Sequence, residues 1–527
     1  MMKRIYIILI LVVTFISSCT DLDLKPLDGA GADFTFTDVL SYKQYMAKIF
    51  GAYMMTGQDG PAGDPDLHLV NDEGFTSYMR AYWKAQQITT DETHLTWTDG
   101  GIQDMNFQQW TSENQFVRVL YYRLALIISL SNDFLEQAEE SKLDSRGFNA
   151  SDKAEVIGFT KDVRFLRAMA YWHALDLFRN VPLVTKITSD PPSQATPQET
   201  FDFIESELND IEGDLPDPQF PEPEYGRVNK AAVWMLQAKL YLNAEVYISQ
   251  SKYTECLTAV NKVINSGVYS LNPVYLDNFK ADNNLSQELI FTFNSDGVSS
   301  QTWGGTTFLV HAPILTTMTP ADYGVDAGWS GPRATSAFVN KFADITGATD
   351  KRAIFVTTGR TLELPVPNDN ASTGGYGVPK YSNKTSGGID GSNQTFVDTD
   401  WPVFRLADAY LMYAEAVLRG GSGGDLGTAL GYINDLRFRA YGDNSGDITS
   451  GELNLDFILD ERSRELYWEA TRRVDLIRYG LFTGGSYVWP WKGGVEAGTS
   501  TDGKYNVFPI PATDLSANPN LVQNPGF

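Results

Sequence analysis

The chain has 527 residues, room for one large domain or two to three fused units, and its 43% hydrophobic content suits a folded protein rather than a disordered one. Against 41 Lys and Arg stand 66 Asp and Glu, a formal charge of −25. That balance repels phosphate backbones and anionic membrane surfaces, so it argues against a nucleic-acid partner and leaves neutral ligands unaffected.

In chain order, the first element is a leader. Lys3 and Arg4 precede Ile5 to Ile16, a largely apolar run of about 12 residues. This is short of the ~20 residues a membrane span needs and fits a secretory signal. Its end, Ile16-Ser17-Ser18-Cys19, resembles a bacterial lipobox, in which the cysteine is acylated and becomes the new N-terminus. The predicted leader is therefore 1–18 and the mature chain 19–527, read as a single domain. Thr20 follows Cys19, so position two is not Asp, which argues against inner-membrane retention. The acidic stretch Asp21-Leu22-Asp23 resembles surface-export signals of Bacteroidetes lipoproteins. No later segment approaches 18 apolar residues, so lipid is the one predicted membrane anchor. The other cysteine, Cys256, lies on an amphipathic stretch and is predicted to be a small core residue; no disulfide framework or cysteine metal site follows.

The body is rich in helical periodicity. Phe165 to Phe178 places apolar residues at three- and four-residue steps and stops near Pro182. Thr196-Pro197-Gln198-Glu199 has capping-box spacing with proline at the first helical position. Arg227 to Tyr247 pairs with Tyr253 to Ser266, which ends at Gly267, a suitable C′ glycine. Arg405 to Arg419 pairs with Thr428 to Ala440 across Gly420-Gly421-Ser422-Gly423-Gly424, and Leu455 to Tyr479 reads as one more long helix. Helix pairs with small residues at the crossings look like degenerate tetratricopeptide repeats. The predicted fold is predominantly α: a tetratricopeptide-like helix-pair scaffold with a few short strands and loop-rich insertions at about 57–112 and 294–400. Tyr376, Tyr381, Trp303, Tyr323 and Trp329 within the insertions argue for ordered, packed loops.

Catalytic patterns are missing. His68, His94, His173 and His311 form no metal spacing, and there is no Gly-x-Ser-x-Gly or phosphate loop. Glu461, Glu465 and Glu469, at four-residue steps near Arg462, Arg464, Arg472 and Arg473, read as ion pairing rather than acid–base machinery. Sugar binding is better served. Flat C–H faces of sugar rings need exposed aromatic planes, and their hydroxyls need polar partners. Thr90 to Gly101, Ser300 to Thr306 and Gly328 to Arg333 supply tryptophans beside glycine and polar residues.

Several stretches carry a family resemblance: Cys19 to Pro26, Arg164 to Trp172, Gly226 to Ala232, Phe404 to Tyr410, Glu461 to Glu465, Arg472 to Leu476, and Ile510-Pro511 with Gln523-Asn524-Pro525. Across essentially its full length the chain resembles SusD-like (SusD/RagB) outer-membrane nutrient-binding lipoproteins, and within them the starch-binding type. The resemblance implies four tetratricopeptide-like helix pairs, no catalysis, no required cofactor, an oligosaccharide ligand, and a SusC-like TonB-dependent transporter as partner. It implies an aromatic arc of Trp97, Trp303 and Trp329, with polar partners Asp72, Arg80 and Asp99, and a lipidated Cys19. It also implies a structural calcium ion, whose nearest acids are Asp282, Glu288, Asp398 and Asp400. Two departures put the glycan itself in doubt: Gly100 replaces a sugar-contacting Asn, and Trp303 replaces a Tyr. A peptide-binding lipoprotein on the same scaffold and a glycoside hydrolase are the alternatives.

Overall fold

Capping chemistry sets the helix starts. Helix α1 (Val39–Met54) begins at Asp38, whose carboxylate accepts from Ser41 N at 2.8 Å. Asn114 and Asn149 cap the two longest helices, α3 (Gln115–Gln137) and α4 (Ala150–Phe178). Thr196 and Glu199 form the predicted capping box of α5 (Pro197–Glu212), with Pro197 at its start. Asn229 caps α6 (Lys230–Leu242). Each such cap contributes about 1 kcal/mol. The computed structural model describes residues 32–61, 65–68 and 73–527, so the leader and Cys19 lie outside the described residues.

The helices stack in sequence. α1 and α3 both pack on α4, and α4 on α5. α6 packs on α7 (Tyr253–Asn265), α7 on α9 (Leu406–Leu418), and α9 on α10 (Leu426–Tyr441). The second half of α4 is covered on every side: Phe165 to Phe178 are all buried, and the polar Arg167, His173 and Asp176 among them have polar partners. Cys256 is fully buried in α7, and burial raises its thiol pKa, as suits a core residue. No helix among the described residues is long and apolar enough to cross a membrane.

Two short antiparallel pairs tie the insertions down. β1 (Thr93–Leu95) pairs with β3 (Pro332–Ala334), and β2 (Leu289–Phe293) with β4 (Trp401–Arg405). The insertion loops are packed, as expected. Tyr381 is buried, and Trp303, Tyr323, Trp329 and Tyr376 lie half-buried against the core.

Two expectations differ from the structure. The 57–112 stretch, read as loop, contains α2 (Tyr78–Gln87), whose ten residues are all buried. Arg80, Lys84, Gln86 and Gln87 inside it erase the apolar stripe that marks a helix in sequence. The helix expected over Leu455 to Tyr479 is instead two, α11 (Leu455–Leu466) and α12 (Arg472–Arg478). Trp468 and Ala470 between them have φ of 62° and 60°, a conformation costly for residues with a Cβ. The break is fixed by tertiary bonds: Trp83 Nε1 donates to Trp468 O at 3.0 Å, and Glu469 meets Lys380 at 2.6 Å and Arg405 at 2.7 Å.

Glu469 is one member of a buried ionic frame. Arg405, ending β4, also reaches Glu288 and Glu465, each at 2.7 Å. Arg439 of α10 meets the same two acids at 3.0 and 2.5 Å. Arg462 joins Asp408 of α9 (2.9 Å) to Asp475 of α12 (2.8 Å), and Arg478 joins Asp475 (2.8 Å) to Glu415 (2.6 Å). Burial pushes the Glu415 carboxyl up, but Arg478, Arg462 and Arg419 together bring it down to about 2. The predicted ion pairing of Glu461, Glu465 and Glu469 is thus internal rather than on a helix surface.

Candidate functional site

The β1–β3 register pairs Leu95 with Pro332. Trp97 follows β1 by two residues and Trp329 precedes β3 by three, so pairing two strands far apart in sequence brings these indoles together. Trp97 Nε1 donates to Trp329 O at 3.1 Å, across 232 residues of chain. The turn between is held by the C-terminal end of α8 (Gly305–His311): Trp329, Ser330 and Gly331 donate backbone N–H groups to His311 O (3.0 Å), Ile314 O (3.0 Å) and Ala312 O (2.8 Å). The three bonds support Ser330 at its φ of 50°. Gly331 lies flat against the Trp97 ring; a Cβ there would stand 2.8 Å from it. The glycine makes room for the ring to lie down, so one face of Trp97 is covered rather than both being open.

Trp303 enters from the other end of α8. Its ring centroid is 6.2 Å from that of Trp329, at an interplanar angle of 53°. All three indoles are half-buried, so each keeps part of its surface in water. Arg80 of α2 is the hub beneath them. Its guanidinium carbon lies 5.4 Å from the Trp97 ring centroid, 6.0 Å from Trp329, 5.0 Å from Phe308 and 4.4 Å from Phe75, and Nη1 donates to Trp303 O at 3.4 Å. Each contact is of the cation–π kind, worth about 0.5–2 kcal/mol. Expected as a polar partner for a ligand, Arg80 is only 5% exposed; it holds the rings in place. Asp99 is half-buried on the turn beyond Trp97, and its carboxylate makes no hydrogen bond among the described residues. Asp72 lies outside the described residues.

The fold so built matches known proteins. The model of the SusD family matches residues 319–527. The chain is 34% identical to the starch-binding protein SusD of Bacteroides thetaiotaomicron, over 97% of its own length and 96% of that protein's. The chain belongs to the SusD family. Among solved structures, it resembles a SusD homolog from Bacteroides thetaiotaomicron (TM-score 0.71, 19% identity, 94% of this chain and 98% of that one). It also resembles surface glycan-binding protein A from the same species in complex with laminarihexaose (TM-score 0.68, 21% identity, 92% and 98%). At these identities the likeness is one of fold. SusD-family proteins bind glycans without catalysis, and this chain is a non-catalytic member.

The sequence reading missed the side chains that support the indoles. His311 stacks on Trp329 at 4.9 Å and 21°, Phe396 packs on Trp303 at 4.9 Å, and Phe308 meets Trp97 edge-on at 6.1 Å. Phe308 and His311 are three residues apart and so share one face of α8. That spacing was visible in the sequence, but the helix was not. His311 Nδ1 lies 2.8 Å from Ala327 O and Nε2 3.0 Å from Thr395 O, which fixes the ring; burial lowers its pKa.

The four acids proposed for calcium do not form a cage. Glu288 is taken by Arg405 and Arg439 and by Asn272 N and Asn278 Nδ2, both at 2.9 Å. Asp282 accepts from Ser386 N (2.7 Å) and Oγ (2.6 Å). Asp398 accepts from Gly297 N (2.8 Å) and from Ser392 N and Oγ, both 2.6 Å. Asp400 accepts from Ser295 N and Tyr225 Oη, both 2.7 Å, and burial pushes its carboxyl up to about 6. Donors occupy the lone pairs a hard cation would need. Among the described residues no three His, Cys, Asp or Glu converge as metal ligands.

Proposed function

We propose that this chain is a cell-surface lipoprotein, acylated at Cys19 on the outer membrane, that captures starch-like α-glucan. It passes the oligosaccharide to a SusC-like TonB-dependent transporter, with the tetratricopeptide-like helix pairs as the rigid support. The observation that carries the reading is the convergence of Trp97, Trp303 and Trp329, each partly exposed to water, over one buried arginine. The 53° tilt between two of the rings makes a curved platform that suits a bent glucan better than a flat ribbon. The starch-binding name of the 34% identical relative points the same way. Asp99, with its carboxylate unengaged, and Asp72 set the register of hydroxyls, while Arg80 fixes the rings. Capture needs no cofactor. A shallow site buries little ligand, so affinity is modest, and tethering near a transporter mouth compensates by raising local ligand concentration.

Affinity electrophoresis in gels cast with soluble starch tests this. Retardation that Trp303→Ala or Trp329→Ala abolishes is the expected result. Equal mobility in starch, laminarin and blank gels would overturn the glycan reading and leave a peptide ligand to be tried. Release of reducing sugar would overturn the non-catalytic reading.

A further inference from the structure

A second cleft lies beyond the tryptophan platform, at the mouth of the β2–β4 pair. Its wall is the loop 219–227 on one side and residues 284–292 on the other, and its volume is about 180 Å³, enough to seat a sugar ring. Two aromatic rings stand at its rim with much of their surface in water: Phe220 is 40% and Tyr225 38% exposed. Rings so placed on the wall of a cleft offer flat apolar faces to a ligand.

The Tyr225 ring is held by its edge. Its hydroxyl donates to Asp400 at 2.7 Å and accepts from Thr292 Oγ1 at 3.1 Å. The next residue, Gly226, has φ of 87° and approaches Asn294 so closely that a Cβ would fall 2.3 Å from its side chain. The loop is thereby clamped on β2, and the exposed ring is presented rigidly. Around it are polar groups without work inside the protein. The side-chain amides of Gln219 and Asn284 are exposed and make no hydrogen bond among the described residues. Glu222 lies between them in the wall, its carboxylate accepting from Asn229 Nδ2 at 2.6 Å.

One held and one exposed aromatic ring beside free amides and a carboxylate offer a sugar both a flat apolar face and hydroxyl partners. The local charge favours a neutral ligand over an anion: Glu222 lines the cleft, and the one cation in its wall, Arg227, is already paired with Asp162 (2.7 Å) and Glu224 (2.9 Å). One polar chain links it to the platform: Asp400 accepts from Ser295 N (2.7 Å), Ser295 Oγ meets Thr306 Oγ1 (2.8 Å), and Thr306 is the second residue of α8, just after Trp303.

We propose that the cleft between Phe220, Tyr225 and Asn284 is a second binding site for neutral oligosaccharide. The proposal rests on the glycan reading of the platform, and the two sites act together on a long polymer through local concentration.

Hydrogen exchange of the full mature chain with and without saturating maltoheptaose tests both readings separately. The expected result is slowed exchange in 217–229 and 283–287 as well as around Trp97, Trp303 and Trp329. Phe220→Ala combined with Asn284→Ala, two exposed changes that leave the fold alone, removes protection at the cleft but not at the platform. The same variant weakens retardation in starch gels about threefold. Protection at the platform alone, untouched by the double variant, overturns the second site. Protection at the cleft alone overturns the platform reading and, with it, the joint action of the two sites, while supporting glycan binding at the cleft itself. Protection at neither overturns both.

Discussion

The ionic frame and the tryptophan platform are built on opposite terms. The frame joins α9, α10, α11, α12 and β4 through charges no more than 5% exposed, and its acids and arginines leave one another no slack. The platform joins three distant loops by ring contacts, backbone hydrogen bonds and one arginine, and it leaves its indoles half in water. Rigidity is concentrated in the buried frame, and the proposed binding surface is composed of weaker contacts mounted on it. That division lets the site vary without unfolding the protein.

Changes to the frame and to the platform should therefore read out differently. Arg405→Ala leaves Glu288, Glu465 and Glu469 short of a buried partner, so we expect a loss of about 3–5 kcal/mol in urea unfolding, with glycan affinity per folded molecule unchanged. Trp303→Ala or Trp329→Ala should do the reverse: at least about a tenfold loss of starch affinity, or about 1.4 kcal/mol, with a smaller stability loss than Arg405→Ala. Arg80→Met keeps bulk beneath the rings and removes the charge. About threefold weaker binding by isothermal titration is expected, in line with the loss of roughly 0.5–1 kcal/mol of cation–π attraction. Gly331→Ala places a methyl 2.8 Å from the Trp97 ring, so it should shift the tryptophan fluorescence and weaken binding a few-fold, with an overpacking cost to stability of about 1–3 kcal/mol.

The mildest lever is pH, and here the frame and the site titrate against each other. Glu415 and Glu461 are held at about 2, below their usual range, so the stability they contribute is present above about pH 4.5 and is lost as pH falls toward 2. Burial pushes His173 down to about 3, so its contribution too is lost as pH drops below about 6.5. Asp400, raised to about 6, has the opposite sign: its contribution is full below about pH 4 and lost as pH rises through 6. Thermal unfolding should show a nearly flat midpoint between pH 7 and 5 and a steep fall below 4. A midpoint that rises on acidification below 4 would mean the frame is not ionised as drawn.

Much of the scaffold was legible because local chemistry carried it. The Thr196–Glu199 capping box, the apolar face of α4 and the glycine-rich link between α9 and α10 each act over a few residues, and each appears where the pattern places it. α2 was not legible, because Arg80, Lys84, Gln86 and Gln87 are buried against partners far along the chain. Nor was the break between α11 and α12, which Trp83, Lys380 and Arg405 impose from outside. The indoles at 97, 303 and 329 could be named from glycine neighbours and a family resemblance, but their supports Phe308, Phe396 and His311 could not. The acids at 282, 288, 398 and 400 looked like ligands only while their donors were unknown.

The sequence alone determined most of the scaffold helices and the capping box at Thr196, since these depend on residue type and short-range spacing, and the family resemblance named the three rings. Tertiary structure alone decided that those rings meet at one place, that Arg80 lies beneath them, and that Glu288 pairs with arginines. The reason is range: caps and amphipathic faces are set by neighbours within a turn or two, whereas the contact between Trp97 and Trp329 spans 232 residues and exists only once β1 has found β3.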